Sequence, residues 1–338
     1  MELRSDLQHI LSCGSDSLAL RKAVQRAMTH SALQMKAFVT HTDDHEWIEI
    51  GKGFRIKRLL TAQDVRAAGV EAGSVTHNVE YYAGVAQLDP GVSLPVRKYN
   101  LAICTHILKG QVWARLGRQR LELGPEASNY FPSGAPWAYE ASGDEGVEFL
   151  YTFTTENEIG ENLAFEDVDE DEYKAYFQPN CPSNLMTPGM EGEGFRWACA
   201  GDADPYIMVE AAQGSRSLSF QAYYDAEKGA PEMWWGRTFL RSNCRYTPHY
   251  HEQSEFFFFL RGEGTMYAGD GIYKVRPGSM VYAPRNCMHG MVNDAIEPLQ
   301  AIYCCNTEVT GNAYVRYELA DVPLVVPTDR TDMLLSDF

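Results

Sequence analysis

The chain carries little positive charge and no long apolar run. Its 338 residues include 29 Lys and Arg against 46 Asp and Glu, so the net charge is −17 with His neutral. This charge, with no basic stripe to oppose it, repels phosphate backbones and anionic lipid surfaces. No apolar segment approaches the roughly 18 residues that a membrane-spanning helix needs, and the residues from Met1 to Asp6 lack the cationic and apolar regions of a secretion signal. We therefore expect a cytoplasmic protein that binds neither nucleic acid nor membrane.

The sequence also lacks the cysteine patterns that are typical of disulfide bonds. The eight cysteines contain no C-x-x-C pair and follow no regular spacing. Cys304 and Cys305 are adjacent in a predicted buried strand, where free thiols act as small hydrophobes. Cys244 and Cys287 lie close to the histidine-rich motif described next, so a role as a metal ligand or as an oxidation target stays open for these two.

The segment from His249 to Glu255 contains two histidines and a glutamate at a spacing typical of a metal site, and His289 follows later. Side chains alternate along a strand, so His249 and His251 point to one side. Glu255 can face back to that side after a short turn at Gln253. Three imidazoles and one carboxylate suit a borderline divalent ion that keeps coordination positions open for water or substrate. We favour Fe(II), with Mn(II), Ni(II), Co(II), Cu(II) or Zn(II) as alternatives.

These residues resemble the two sequence motifs of the cupin superfamily. The first motif is matched by His249, His251, Glu255 and Gly262, and the second by Gly278, Pro284, His289 and Asn293. Asn243 stands where the first motif begins with Gly, and Asn286 replaces a Gly of the second. Asn tolerates left-handed backbone angles, so the turn at Asn286 is expected to survive. The resemblance implies that the metal ligands are His249, His251, Glu255 and His289.

A competing cluster runs from His41 to His45 and offers two imidazoles and two carboxylates. It directly precedes a predicted strand at residues 47–50. We therefore interpret it as a polar turn rather than as a metal site.

The sequence also repeats internally. A shift of 152 residues superposes Gly110 on Gly262 without a gap, and it aligns further pairs: Gly117 with Gly269, Pro125 with Pro277, Tyr130 with Tyr282, and Pro132 with Pro284. Because Gly and Pro set turns, this agreement predicts two copies of one β-rich fold, which resembles a bicupin. Under the same shift the four ligand positions become Arg97, Tyr99, Ile103 and Trp137. The N-terminal copy is therefore expected to hold no metal.

The expected fold class is all-β with minor helices, in two cupin barrels of the double-stranded β-helix (jelly-roll) type. We place an N-terminal helical extension at residues 1–45, with helical character from Leu18 to Met35, and the N-terminal cupin at 46–155. An acidic linker and helical segment at 156–200 leads to the C-terminal, metal-binding cupin at 201–310 and a tail at 311–338.

Alternation along the strands also predicts the lining of the metal cavity. If Glu255 faces inward, Phe257 and Phe259 do so as well and make the cavity apolar. Alternation backwards from His249 places Arg245 on the inner side, where a guanidinium would suit a carboxylate substrate. Together with Tyr282, these are the predicted substrate contacts, and Tyr282 is alternatively a general acid.

The resemblance leaves three classes of function. We favour an Fe(II) dioxygenase that acts on a small carboxylated or hydroxylated organic substrate, because such a metal site carries a net charge of about +1 and can bind dioxygen. The alternative is a redox-neutral lyase, decarboxylase or hydrolase in which the ion acts as a Lewis acid. A non-catalytic small-molecule binding protein is the least favoured. Oxalate decarboxylases, which usually keep metals in both copies, fit this chain poorly. The resemblance also suggests a homodimer.

Overall fold

The computed structural model consists almost entirely of β-strands, as the sequence predicts. It describes residues 34–70, 81–116, 119–154, 164–169, 171, 173, 196–198, 206–208, 218–226, 228–306 and 315–316. A short α-helix, α1 (Ala62–Ala67), and a 3-10 turn (Thr42–Asp44) interrupt the strands. Within the described ranges, none of the helices has the length and apolar character needed to cross a bilayer.

The described residues before the middle of the chain form these strands: β1 (Phe38–His41), β2 (Ile48–Gly51), β3 (Phe54–Leu60), β4 (Tyr81–Leu88), β5 (Arg97–Tyr99), β6 (Ala102–Gly110), β7 (Val112–Leu116), β8 (Gln119–Leu123), β9 (Ser128–Phe131), β10 (Trp137–Ala141), β11 (Val147–Thr154) and β12 (Phe165–Asp167).

The later strands are β13 (Arg196–Ala198), β14 (Tyr206–Met208), β15 (Leu218–Tyr224), β16 (Trp234–Leu240), β17 (Cys244–Tyr250), β18 (Glu255–Arg261), β19 (Gly264–Ala268), β20 (Gly271–Val275), β21 (Ser279–Ala283), β22 (His289–Asn293), β23 (Leu299–Cys305) and β24 (Val315–Arg316).

These strands form two barrels of two sheets each. The first barrel combines the seven-stranded sheet β13-β9-β6-β11-β4-β3-β2 with the five-stranded sheet β12-β5-β10-β7-β8. The second combines β1-β21-β18-β23-β16-β15-β14 with β20-β19-β22-β17-β24. Each barrel has its own apolar core, which contains Ile103 and Phe149 in the first and Phe257 and Tyr303 in the second.

The two barrels follow the internal repeat of the sequence. A shift of 152 residues takes the bounds of β7, β8 and β10 onto those of β19, β20 and β22. The paired glycines Gly110 and Gly262 both have φ of 77°. A Cβ would lie 1.9 Å from the Gly146 carbonyl oxygen at the first and 2.4 Å from the Pro298 carbonyl oxygen at the second. Glycine is therefore required at this turn in both copies.

The two asparagines that replace motif glycines adopt the left-handed conformation. Asn243 has φ of 54° and Asn286 has φ of 60°. Under the shift of 152 residues their counterparts in the first barrel are Gly91 and Gly134, with φ of 71° and 75°. The expected turn at Asn286 is confirmed, and Asn243 follows the same rule.

A third apolar core joins the barrels to each other. The outer faces of the two seven-stranded sheets pack together and bury Tyr81 and Leu150 of the first barrel with Trp235, Phe256 and Tyr282 of the second. Because β18 is buried on both faces, its run from Phe256 to Phe259 is aromatic at every position instead of alternating with polar residues.

Among the strands of the described residues, four short ones lie outside the predicted barrel ranges. β1, which falls in the predicted helical extension, pairs with β21 of the second barrel. β12 and β13, in the predicted linker, pair with β5 and β9 of the first barrel, and β24, in the predicted tail, pairs with β17. Local propensity did not show these pairings, since such short segments become strands only against an existing sheet edge. The predicted helix from Leu18 to Met35 lies almost wholly outside the described residues. The domain boundaries themselves stay a proposal.

Candidate metal centre

Four buried side chains of the second barrel converge on one point. They are His249, His251, Glu255 and His289, and each offers a ligand atom that lies within 4.8 Å of the other three. Their exposed fractions are between 1% and 4%, so bulk water does not reach them freely. These are the four residues that the sequence predicts as ligands.

Three neighbouring strands bring these residues together. His249 at the end of β17 pairs directly with His289 at the start of β22. Glu255 opens β18 after the turn at Gln253 and Ser254. A hydrogen bond from the Asn286 backbone N–H to the His251 carbonyl oxygen, 2.8 Å long, ties the loop before β22 to the residue that follows β17.

Backbone carbonyls orient two of the imidazoles. His251 Nδ1 lies 2.9 Å from the Gln253 carbonyl oxygen, and His289 Nδ1 lies 3.0 Å from the Cys287 carbonyl oxygen. Because a carbonyl oxygen only accepts, each Nδ1 carries the hydrogen and each Nε2 presents a lone pair. Such contacts are typical of histidines that bind metals through Nε2.

The residues of this cluster fit a divalent cation. Glu255 Oε2 lies 3.2 Å from His251 Nε2 and 2.9 Å from His289 Nε2. With the hydrogen on Nδ1, each Nε2 lone pair would face the Glu255 carboxylate oxygen, and these acceptor atoms would repel each other. A cation bound between them would remove that repulsion. His289 Nε2 is also buried without hydrogen-bond geometry to any described residue.

The carboxylate of Glu255 stays ionised. Burial by itself raises the pKa of Glu255, but positive charge at His251 and His289 outweighs burial and lowers that pKa to about 2. A cation bound among these side chains would supply the same positive charge. Burial lowers the pKa of His251, so this imidazole stays neutral near pH 7. The donor set is therefore neutral imidazole with carboxylate, which is suited to a divalent metal ion.

Phe257 lies beside the cluster, as predicted. Its ring centroid is 6.0 Å from that of His289, and it is fully buried. Phe259 lies two residues further along β18 in the same apolar core of the second barrel. Substrate contact by these two residues stays a proposal.

Arg245 does not take the predicted inward position. A β-bulge between Tyr246 and His249 shifts the register of β17, so that Tyr246 faces the barrel core and Arg245 lies on the opposite face with Val292. The prediction used uninterrupted alternation, and the bulge breaks it. Pro248 was the available signal, because proline inside a strand marks an edge or a bulge.

Tyr246 also lies at the cluster, a position that strand alternation in the sequence does not predict for it. Its Oη lies 2.8 Å from His249 Nε2, and the two ring centroids are 4.4 Å apart. The bulge therefore brings a phenolic hydroxyl to the edge of the cluster in place of the predicted guanidinium.

The prediction for Tyr282 is wrong for a similar reason. Phe256 and Tyr282 are paired on β18 and β21, and both belong to the core between the barrels. The ring of Tyr282 lies 5.9 Å from that of Tyr81 of the first barrel. Tyr282 therefore faces away from Glu255 and cannot contact a substrate there or act as the general acid.

The other candidates form no metal site among the described residues. Thr42–Asp44 form a 3-10 turn capped by His41, so the cluster from His41 to His45 is a polar turn as predicted. The described cysteines are free thiols, and neither Cys244 nor Cys287 belongs to the metal cluster. Burial raises the pKa of the Cys287 thiol, which keeps it protonated.

Comparisons with known proteins agree with this architecture. Residues 241–305 match the family described as Cupin domain. No curated protein shows significant sequence similarity to the chain.

Among solved structures, oxalate decarboxylase from Bacillus subtilis at pH 4.6 is 17% identical with a TM-score of 0.59, over 88% of this chain and 85% of that chain. A second oxalate decarboxylase structure, from work on its substrate binding mode and reaction specificity, is 16% identical with a TM-score of 0.60. The match covers 88% of this chain and 86% of that chain. A tryptophan-to-phenylalanine variant of the Bacillus subtilis enzyme is 18% identical with a TM-score of 0.60. The match covers 87% of this chain and 85% of that chain. At these identities the similarity shows the fold. The chain is thus a bicupin by fold, and its cluster of three histidines and one glutamate lies in the C-terminal cupin.

Proposed function

We propose that the chain is a metal-dependent lyase of the decarboxylase type that acts on a small organic carboxylate. The observation that carries this proposal is the buried cluster of His249, His251, Glu255 and His289. It lies in a fold shared with oxalate decarboxylase over 88% of the chain. The proposed ligands are these four residues.

The charge of the cluster favours an anionic substrate. One ionised carboxylate and three neutral imidazoles leave a bound divalent ion with a net charge of about +1, which attracts a carboxylate group. The enclosed position favours a small molecule, since the four proposed ligand residues are at most 4% exposed. When bound, the ion would act as a Lewis acid that polarises the substrate carboxylate.

Tyr246 is the proposed proton donor. Decarboxylation breaks the bond between the carboxyl carbon and its neighbour, and the electron pair left on that neighbour must take up a proton. The Tyr246 hydroxyl, 2.8 Å from His249 Nε2, is placed to supply it and to regain a proton from water. Phe257 packs beside His289 and would exclude other water from the reacting carbon. The reaction is redox-neutral and consumes no oxidant.

An Fe(II) dioxygenase is the second candidate. The same donor set binds Fe(II) well, and the aromatic side chains Phe257 and Tyr246 would suit an organic substrate of that class. The similar solved structures are decarboxylases, which supports the redox-neutral alternative over the dioxygenase that the sequence analysis favours. The ion's identity, homodimer formation and a cytoplasmic location stay predictions.

Turnover with and without oxygen tests the proposal. The purified protein would be analysed for bound metal and then given a panel of small mono- and dicarboxylates, with release of carbon dioxide and uptake of oxygen followed together. We expect carbon dioxide release without net oxygen uptake. Stoichiometric oxygen uptake would establish the dioxygenase, and a fully metallated protein without any turnover would indicate a binding protein.

Three variants separate the roles of the residues. His251→Ala should lose the metal and all turnover. Tyr246→Phe should keep the metal but lose roughly a hundredfold or more in kcat, the range expected for a lost general acid. Tyr282→Phe is the matched control. Because Tyr282 is buried between the barrels, this variant should keep its metal and its normal kcat. Stoichiometric metal in His251→Ala would contradict the ligand assignment.

A further inference from the structure

The first barrel has a cavity, partly open to solvent, at the position that corresponds to the metal centre. Arg97, Tyr99, Ile103 and Trp137, which align with the four metal ligands, all line it. The pairing of Trp137 with Arg97 on β10 and β5 repeats the pairing of His289 with His249. The repeat has therefore kept the site and exchanged its side chains.

Aromatic rings form the walls of this cavity. Tyr99 and Trp137 stack with centroids 5.8 Å apart, and Phe149 and Phe153 also line the space. Its volume is about 220 Å³, and an apolar cavity of about 150 Å³ is enough to admit a benzene ring. A ligand with one aromatic ring and a small substituent therefore fits.

Two hydrogen-bond donors of the lining have no partner among the described residues. They are Trp137 Nε1 and Tyr151 Oη, and these two residues are 5% and 7% exposed. Burial raises the pKa of Tyr151, so its hydroxyl remains a donor. An indole N–H can only donate, and a buried donor without an acceptor is costly. Both groups would be satisfied by a ligand that carries acceptor oxygens.

The charge of the lining is positive. Arg58 and Arg97 line the cavity, whereas none of its described lining residues is Asp or Glu, because Ile103 stands where the second barrel has Glu255. Arg97 Nε donates to Asp167 Oδ1 at 2.7 Å. This exposed carboxylate, which is not part of the lining, offsets part of the positive charge of Arg97. Arg58 makes no salt bridge with any other part of the chain that the structure describes. Guanidinium groups bind carboxylates through paired hydrogen bonds.

We propose that the N-terminal barrel is a binding site for a small aromatic carboxylate, in which Arg97 and Arg58 supply the positive charge that a metal ion supplies in the other barrel. The ring packs between Trp137 and the phenylalanines, and the carboxylate accepts from the unpaired donors. This site is separate from the metal centre, so it stands or falls independently of the proposed lyase activity.

Binding of 4-fluorobenzoate, followed by ¹⁹F NMR and calorimetry, tests the proposal. We expect saturable binding at one site per chain in His251→Ala, in which the metal centre is disabled and cannot compete for the carboxylate. Arg97→Gln should weaken binding roughly tenfold or more, as expected for a lost charge-assisted hydrogen bond. Trp137→Phe keeps a ring but removes the N–H, and it should weaken binding about threefold to tenfold.

Asp167→Asn is the matched control for Arg97→Gln. It breaks the same salt bridge between β5 and β12 but leaves the guanidinium in place, so binding should be unchanged or tighter. The neutral 4-fluorobenzyl alcohol should bind at least tenfold more weakly than 4-fluorobenzoate. The proposal is overturned by absence of saturable binding, by equal affinity for the alcohol, by equal losses in the Arg97 and Asp167 variants, or by loss of binding in His251→Ala.

Discussion

A hydrogen bond between the barrels should support the metal centre, and Tyr81→Phe tests this directly. Tyr81 Oη of the first barrel donates to the Ser254 carbonyl oxygen of the second at 2.7 Å, and both residues are at most 1% exposed. Ser254 lies between Gln253, whose carbonyl oxygen orients the His251 imidazole, and the ligand Glu255. The first barrel thus holds the turn that positions two of the four ligands.

The size of the effect follows from the contact that is lost. The phenylalanine ring keeps the packing of Tyr81 against Phe256, so the change removes the buried hydrogen bond to Ser254 and leaves the ring in place. We expect the free energy of unfolding to fall by about 1–2 kcal/mol. Metal affinity should fall about threefold to tenfold, less than the 10–100-fold loss typical for a direct partner of a ligand, because Tyr81 acts through the turn. Urea unfolding and titration of the metal-depleted protein measure the two quantities.

Tyr130→Phe is the control for this experiment. Tyr130 Oη also crosses between the barrels, to Glu232 Oε2 at 2.7 Å, but this contact does not involve the turn at Ser254. It should lower stability by a similar amount and leave metal affinity unchanged. If Tyr81→Phe bound metal as tightly as Tyr130→Phe, the first barrel would have no part in shaping the metal centre and the reasoning would be refuted.

Three further changes test the fold. Gly262→Ala should destabilise the protein by about 2 kcal/mol or more in urea unfolding, because its φ is 77° and a Cβ would lie 2.4 Å from a carbonyl oxygen. Gly124→Ala is the control and should be neutral, since the space around Gly124 is open. Equal losses of stability in the two variants would show that a side chain at position 262 causes no strain. Asn286→Ala should cost about 1 kcal/mol and Asn286→Gly close to nothing, since φ is 60°; equal melting temperatures would count against this. Burial lowers the pKa of His106 to about 3, so the folded state excludes a proton that the unfolded chain binds. The stability from this group is present above about pH 6.5 and is lost toward pH 3, by up to about 1.4 kcal/mol per pH unit. His106→Gln should flatten urea-measured stability between pH 7 and pH 5, and an unchanged slope would disprove the assignment.

The cluster of three histidines and one glutamate and the duplicated fold could be predicted from the sequence because both depend on short-range geometry. His249, His251 and Glu255 are neighbours on two strands joined by a tight turn, so their spacing alone brings them together. Gly110 and Gly262 mark the same turn in each copy because a side chain cannot fit there. Asn243 and Asn286 kept the left-handed turns, so the motif stayed recognisable without its glycines.

The predicted substrate contacts Arg245 and Tyr282 could not be placed in the same way. Alternation along a strand shows which side chains share a face only as long as no bulge interrupts the strand, and it does not show which face points into the barrel. The bulge before His249 exchanged Arg245 for Tyr246 at the edge of the cluster. Tyr282 looked like a cavity residue because the sequence does not show which side of a doubly buried sheet faces the barrel. In the structure that side chain packs against the other barrel.

The sequence by itself determined two barrels, one cluster of three histidines and one glutamate, and the absence of that cluster from the first barrel, since these depend on residue identity, spacing and turns. Only the tertiary structure decided that β1 and β24 complete the second barrel and that Tyr81 reaches the turn beside the metal centre. It also decided that the exchanged side chains Arg97 and Trp137 line a cavity. The physical reason is that sheet pairing, bulges and cavity volume depend on contacts between residues far apart in the chain, which no local pattern records.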